Sequence, residues 1–387
     1  MPFNAPRHSR LRATWDVFCR VVDNHGDVGV CWRLATDLAE RGIAVRLWID
    51  DAQALTWMAP GGRPGVEVRA WPVTDEAFAI ADVEPATVVI EAFGCGLPDP
   101  CLRHIALAHR QSAAPVWINL EYLSAEACVE RNHGLPSLQG SGLACGVTSW
   151  FFYPGFTAST GGLLCEADLL RRQAAFHREA WLADHSISPH PGERLVSLFC
   201  YANPNVSEWL QAVAARPTLL LTTPGHATEQ VARAIADDGA LDNVRVQSLP
   251  WLTHFDYDHL LWSCDLNLVR GEDSLVRAVW AGRPFLWQIY PQDDGVHAAK
   301  LVAFLTRALQ AADPAMAESI RRAAFRWNSL SAPHDPDAWG VLQSPSSMSA
   351  WARVCTDWRT ELLAQPDLVT QLMAFANAKS SLPQAKI

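Results

Sequence analysis

Asp16-Val17-Phe18-Cys19-Arg20-Val21-Val22-Asp23-Asn24-His25-Gly26-Asp27-Val28-Gly29-Val30-Cys31-Trp32-Arg33-Leu34 reads as a strand, a turn and the start of a helix. The apolar run from Trp15 to Val22 has the length and content of a buried strand. From Val28 to Arg41 the residues Cys31, Leu34, Ala35 and Leu38 recur at helical spacing, and Gly42 supplies the usual C-terminal stop. Ile43 to Ile49 is the next strand. A buried strand, a helix and a second buried strand in succession open a parallel α/β sheet.

The same alternation extends outward. Val66 to Trp71, Thr87 to Phe93 and Val116 to Leu120 are further strands, and a long helix is expected over about Glu166 to His185. Ser186-Ile187-Ser188-Pro189-His190-Pro191-Gly192 then reads as a linker. Beyond it, strands at Leu195–Cys200, Thr218–Thr222, Val244–Leu249, Cys264–Val269 and Pro284–Ile289 alternate with helices at Val206–Ala215 and Ala227–Asp237. The last third is mostly helical, with Trp351–Leu363 and Pro366–Ala378 as its clearest segments. The expected division is an N-terminal domain over 1–183, a linker over 184–192, a nucleotide-binding domain over 193–345, and C-terminal helices over 346–387 packing back toward the first domain. Two open parallel sheets that face each other place a ligand site in the cleft between the carboxyl ends of their strands.

Bulk composition supports this. A chain of 387 residues, 49% hydrophobic and 19% charged, can bury two cores. Its net charge of −10 argues against nucleic acid as the main partner, since phosphate backbones attract clustered Lys and Arg. The ten cysteines are scattered, several inside apolar runs, and form no CxxC pair or zinc spacing, so buried reduced thiols are expected. Met1 to Arg12 has no apolar core of a secretory signal, and no run reaches the ~18 apolar residues of a membrane span. A cytoplasmic protein with no membrane partner is expected.

Three constellations carry candidate chemistry. The first is Asp23 and Asp27 with Gly26 and Gly29 at the first strand-to-helix turn. One carboxylate there is a candidate general base, although Asp27 could equally serve as a helix cap. No G-x-G-x-x-G is present, which excludes the nicotinamide fingerprint. The second is Arg270-Gly271-Glu272-Asp273-Ser274, after a strand and before a helix closed by Gly282. A helix N-terminus and a guanidinium fork suit a diphosphate, and Ser274 adds a hydroxyl. Glu272 and Asp273 repel phosphate and fit better as acceptors for sugar hydroxyls or as orienters of Arg270. The alternative is an acidic capping box on a surface helix. The third is the aromatic set Phe199, Tyr201, Trp251 and Phe255, at strand ends where rings stack on nucleobases or fill core. The triplets Asp256-Tyr257-Asp258 and Asp335-Pro336-Asp337 read as a helix start and a turn, and no metal is expected.

The Asp16–Leu34 stretch resembles the opening of the elongation factor P arginine rhamnosyltransferases, the EarP family. Ile118-Asn119-Leu120-Glu121-Tyr122-Leu123-Ser124, Arg270-Gly271-Glu272-Asp273-Ser274, Gly282-Arg283-Pro284-Phe285 and Gln288-Ile289-Tyr290-Pro291-Gln292 fit the same family in the same order. The resemblance runs from about residue 14 to 380. It implies a GT-B fold, two Rossmann-like domains facing across a cleft, and an inverting transfer of rhamnose from dTDP-β-L-rhamnose to one arginine of elongation factor P, which activates the factor. It implies Asp27 as base, Asp23 and Glu272 as further essential acids, and no cofactor. Arg270, Asp273 and Ser274 would contact the diphosphate, and Tyr201 and Trp251 would line the nucleotide pocket. His25 stands where relatives carry Tyr or Phe, Trp251 where they carry Phe, and His254 near an expected Gln. The fold alone would equally suit a GT-B enzyme with another nucleotide sugar and a small-molecule or lipid acceptor.

Overall fold

The computed structural model describes residues 13–22, 25–71, 85–238, 241–291, 295–331, 335 and 337–381. The first half runs β1 (Thr14–Cys19), α1 (Gly26–Glu40), β2 (Ala44–Ile49), α2 (Leu55–Met58), β3 (Val66–Ala70), β4 (Val88–Ala92), α3 (Asp99–Arg110), β5 (Val116–Leu120), α4 (Ala127–Asn132), β6 (Pro136–Leu138) and β7 (Thr148–Phe152). These strands form a seven-stranded sheet in the order β3-β2-β1-β4-β5-β7-β6, parallel except for the edge strand β6. Consecutive β1 residues enter cores on opposite faces: Val17 and Cys19 join α1, while Phe18 joins the layer beneath α3. Burial on both faces explains why the sequence reads as a continuous apolar run rather than an alternation.

Two short helices, α5 (Leu169–Ala174) and α6 (Arg178–Asp184), lead into the second half. It comprises β8 (Arg194–Leu198), α7 (Val206–Val213), β9 (Thr218–Thr222), α8 (His226–Asp238), β10 (Val244–Ser248), α9 (His254–Ser263), β11 (Leu266–Arg270), α10 (Gly271–Ala281), β12 (Phe285–Gln288), α11 (Val296–Ala308) and α12 (Pro314–Trp327). Its five strands are all parallel, in the order β10-β9-β8-β11-β12. Two final helices follow, α13 (Pro345–Leu363) and α14 (Leu368–Ser380). They part company: Trp351, Cys355 and Trp358 of α13 fill the second core, while Leu368, Val369 and Leu372 of α14 fill the first. At about 1.5–3 kcal/mol for each large buried side chain, α14 is a substantial brace for the first sheet.

The expected α/β architecture of two parallel sheets is observed, with local differences. Strand β1 stops at Cys19 rather than Val22, because the next backbone N–H groups turn to carboxylates: Val21 donates to Asp50 Oδ1 at 2.9 Å and Val22 to Asp27 Oδ2 at 2.8 Å. The helix expected over Glu166 to His185 is broken at Phe176 and His177, where His177 is extended and the Phe176 ring stacks on His259 at 4.8 Å. Gly42 and Gly282 both adopt positive φ at helix ends, +91° and +64°, as their placement after α1 and α10 requires.

Candidate active site

Among the parallel strands of each sheet the order reverses once, between β1 and β4 and between β8 and β11. Open parallel sheets bind ligands in the crevice at such reversals, beyond the carboxyl ends of the strands. The segments leaving those strands carry Asp27, Phe93, Phe199, Tyr201 and the 270–274 stretch.

Asp27 lies in the first turn of α1 and is 3% exposed. The N-cap position belongs to His25, so the carboxylate is not the cap; instead it accepts the Val22 N–H and holds the loop before the helix. The positive end of the helix favours its charge. Asp23 lies outside the described residues.

On the other side, Arg270 ends β11 and Gly271 turns the chain into α10 at φ +65°. That left-handed conformation costs a side-chain-bearing residue about 1–2 kcal/mol, so glycine suits the turn. The Arg270 guanidinium sits between the rings of Phe199 and Tyr201, 4.4 Å from each centroid. This cation–π sandwich fixes the direction of the charge. Tyr201 is held in turn by its N–H to Gln288 Oε1, 2.8 Å. Ser274 Oγ accepts the Arg270 N–H at 3.1 Å and donates to the Arg270 carbonyl, so its hydroxyl locks the turn. Helix α10 is buried from Ser274 to Ala281, which rules out a surface capping box.

Two cavities meet between the domains. One, of about 650 Å³, is lined by Phe199, Arg270, Asp273 and Ser274 of the second domain and by His25 and Trp57 of the first. The other, of about 970 Å³, holds Asp27 and Glu272 together with Tyr122, Tyr290 and Lys300. Gly26 and Gly271 line both, so the two spaces adjoin where α1 and α10 begin. Glu272 also accepts the Leu123 N–H at 2.8 Å, a bond across the cleft. Asp27 and Glu272 thus converge on one space, with Arg270 on the other side of a glycine wall.

The remaining expected residues divide. Trp251, 47% exposed, stacks on Trp57 at 4.5 Å, and the His25 ring meets both indoles edge-on at 5.3 Å. This forms an aromatic clasp across the mouth of the smaller cavity. Phe255 is turned away, under Arg172. Asp273 lines the smaller cavity, and its carboxylate is 3.0 Å from Arg33 Nε, which ties it to α1. The Asp256–Asp258 pair is occupied by protein: Asp256 takes the Trp181 indole N–H, and Asp258 takes two bonds from Arg277.

Two residues escaped the sequence reading, and a third stood out in it only as a departure from the family pattern. Trp57 comes from a four-residue helix too short for a periodic signal. Tyr257 lines the smaller cavity within the Asp-Tyr-Asp triplet. His254 lies in the same wall, 8% exposed, and neither ring nitrogen has a hydrogen-bond partner among the described residues. Burial, then the nearby Arg33 and Arg277, hold its pKa well below the ordinary range, so the ring is neutral. A neutral imidazole offers one donor and one acceptor, and leaving both unmet is costly.

The comparisons with known proteins fit this geometry. The family described as Elongation-Factor P (EF-P) rhamnosyltransferase EarP matches residues 15–377. The chain belongs to the EarP family. It is an enzyme of that glycosyltransferase class. A protein-arginine rhamnosyltransferase of Pseudomonas aeruginosa is 44% identical over 391 residues, covering 94% of this chain and 98% of its own. One from Neisseria meningitidis is 35% identical over 383 residues, covering 93% and 96%. A solved structure concerning EarP-mediated arginine glycosylation of translation elongation factor EF-P superposes with a TM-score of 0.65 at 31% identity, covering 96% of this chain and 100% of that one. The spinosyn rhamnosyltransferase SpnG shares the fold at a TM-score of 0.53 and 14% identity, covering 95% of this chain and 100% of its own. The EarP-family match and the GT-B fold agree with what the quoted motifs imply. Among the described residues no helix is long and apolar enough to cross a membrane.

Proposed function

We propose that this protein transfers L-rhamnose from dTDP-β-L-rhamnose to an arginine side chain of elongation factor P, with inversion at the anomeric carbon. The observation that carries the reading is the pair of adjoining cavities, one with a fixed cation and aromatic walls, the other with converging carboxylates. The first suits a nucleoside diphosphate. Arg270 and the start of α10 would take the diphosphate, and Phe199, Tyr257 and the neutral His254 would face the base. The second suits a guanidinium, flanked by Asp27 and Glu272.

The chemistry follows from the nucleophile. An arginine side chain has a pKa above about 12 and is protonated in water, with no lone pair to attack. Asp27 accepts the proton as a guanidinium nitrogen attacks the anomeric carbon. The N–C bond forms as the glycosidic C–O bond breaks on the opposite face, and dTDP leaves with the electron pair. Glu272 holds the guanidinium in register, and Asp23 would supply a second acid at the same turn. Arg270 stabilises the departing diphosphate in a water-poor site, where fixed charges act most strongly. No metal or cofactor is required for this sequence of events. The setting is a cytoplasmic translation factor, with neither nucleic acid nor membrane as partner.

The test is mass spectrometry of elongation factor P after incubation with the protein and a panel of nucleotide sugars. dTDP-β-L-rhamnose should add one deoxyhexose to one arginine, as the α-linked product by NMR. Transfer from a UDP sugar in preference, or a β-linked product, would refute the donor or the inverting course.

A further inference from the structure

We infer that Arg33 is a positioning residue for the transfer, whose ion pair with Asp273 fixes α1 against α10 and so sets where Asp27 stands relative to the diphosphate grip. This rests on the rhamnosyl-transfer reading above.

Arg33 lies on the same helix as Asp27, with its side chain 3% exposed. Its Nε is 3.0 Å from Asp273 Oδ1, its Nη1 3.1 Å from Glu166 Oε1, and its Nη2 3.3 Å from Asp258 Oδ1. Arg277, one turn beyond Asp273 on α10, meets the same Glu166 and Asp258 at 2.7 Å each. Burial works against the charge on Arg33, and so does Arg277, but Asp258, Asp273 and Glu166 outweigh them and keep it protonated. Buried ion pairs of this kind add little net stability over apolar packing, because desolvation offsets the attraction. What they supply is direction: Arg33 and Arg277 each donate hydrogen bonds to Glu166 and Asp258, which fixes the Arg33 guanidinium, and Asp273 pairs with it as charge against charge.

A second observation points the same way. A Cβ built on Gly29 would lie 3.2 Å from Asp273 Oδ2 and 3.3 Å from its Cγ. The Asp273 carboxylate therefore lies directly over bare α1 backbone, two residues from Asp27, while Arg33 grips it from the next turn. Asp273 itself follows Glu272 and lies three residues from Arg270. The contact thus ties the base-bearing end of α1 to the diphosphate-bearing end of α10. It also gives the Asp273 side chain a role other than donor contact.

Full-length Arg33→Met and Gly29→Ala are assayed for kcat, donor KM, dTDP affinity by calorimetry and melting temperature. A misplacement near 1 Å costs on the order of 100-fold in rate, so Arg33→Met should lose about that much kcat and Gly29→Ala about 10-fold. Donor KM and dTDP affinity should stay within about threefold of wild type, because only alignment is lost. Wild-type kcat in both variants would overturn the inference. So would a loss of dTDP affinity in step with kcat, which would return Asp273 to the donor. If Arg33→Met does not fold, Gly29→Ala decides, since it leaves every charge in place. A wild-type enzyme that forms no product counts against the transfer reading itself, before either variant is compared.

Discussion

The turn that leaves β1 and the turn that leaves β11 occupy equivalent places in their sheets, yet the first brings a carboxylate, Asp27, to the cleft and the second a clamped cation, Arg270, beside the carboxylate of Glu272. After β1 the chain takes residues 20–25 to reach α1, and the carboxylate of Asp27 anchors that loop by accepting the Val22 N–H. After β11 there is no loop: Gly271 at φ +65° passes directly from strand to helix, and Arg270 is clamped between two rings. A turn of several residues leaves room for a carboxylate such as Asp27 to meet a cationic acceptor. A tight turn brings a helix start and one fixed cation close to an anion. On the proposed function, the same topology yields a proton-removing side and an anion-holding side, and the proposed transfer needs them to face each other.

The most damaging break in the comparison is Asp27→Asn. The amide oxygen can still accept the Val22 N–H, so the loop survives while the base is lost. A kcat loss on the order of 10³-fold, with donor KM little changed, is expected in steady-state assays, near the middle of what general bases contribute. Next is Arg270→Lys, which keeps the charge but loses the fork and the ring sandwich. Donor KM should rise roughly 10- to 100-fold, and an unchanged KM would show that the helix start alone holds the diphosphate. Trp251→Ala removes the clasp with Trp57. Aromatic pairs are worth about 0.5–1.5 kcal/mol, so donor KM should rise only about 2- to 10-fold.

The smallest effect contrasts the two ends of α1. Asp27 sits at the end that favours a carboxylate, whereas Asp37 sits near the other end, and burial raises its pKa to about 6 despite bonds from Arg41. The sign follows from linkage: a raised carboxyl pKa contributes stability below the unfolded value of 3.8, which is lost as pH rises through about 6. The melting temperature of wild type relative to Asp37→Asn should therefore fall by a few degrees between pH 4 and pH 7. A flat difference would mean that Arg41 fully offsets the burial.

Much of this was legible in the sequence because the elements are locally strong. Strands buried on both faces give unbroken apolar runs, and Gly42 and Gly282 mark helix ends by backbone geometry alone. The edge strand β6 has only three residues and pairs antiparallel within a loop-rich stretch, so it leaves little pattern. The break at Phe176 arises from rings on α9, distant in sequence, and no local signal announces it. The site divides similarly. Asp27, Glu272 and Arg270 sit at strand-to-helix turns, where position suggests function. The partner of Asp273 is Arg33, 240 residues away on another domain, and from sequence its charge looks like any other on a helix. Tyr257 was hidden for the reverse reason: it falls in a helix start whose visible signal was its aspartates, and His254 at the same start stood out only as a departure from the family pattern.

The division of labour between the two turns is tested most directly by measuring dTDP affinity calorimetrically for Asp27→Asn and Arg270→Lys beside their product formation. Asp27→Asn is expected to bind dTDP as wild type does while forming almost no glycosylated factor, and Arg270→Lys is expected to lose affinity. Loss of dTDP binding in Asp27→Asn equal to that in Arg270→Lys would contradict this division, because the carboxylate would then belong to the nucleotide and not to the acceptor.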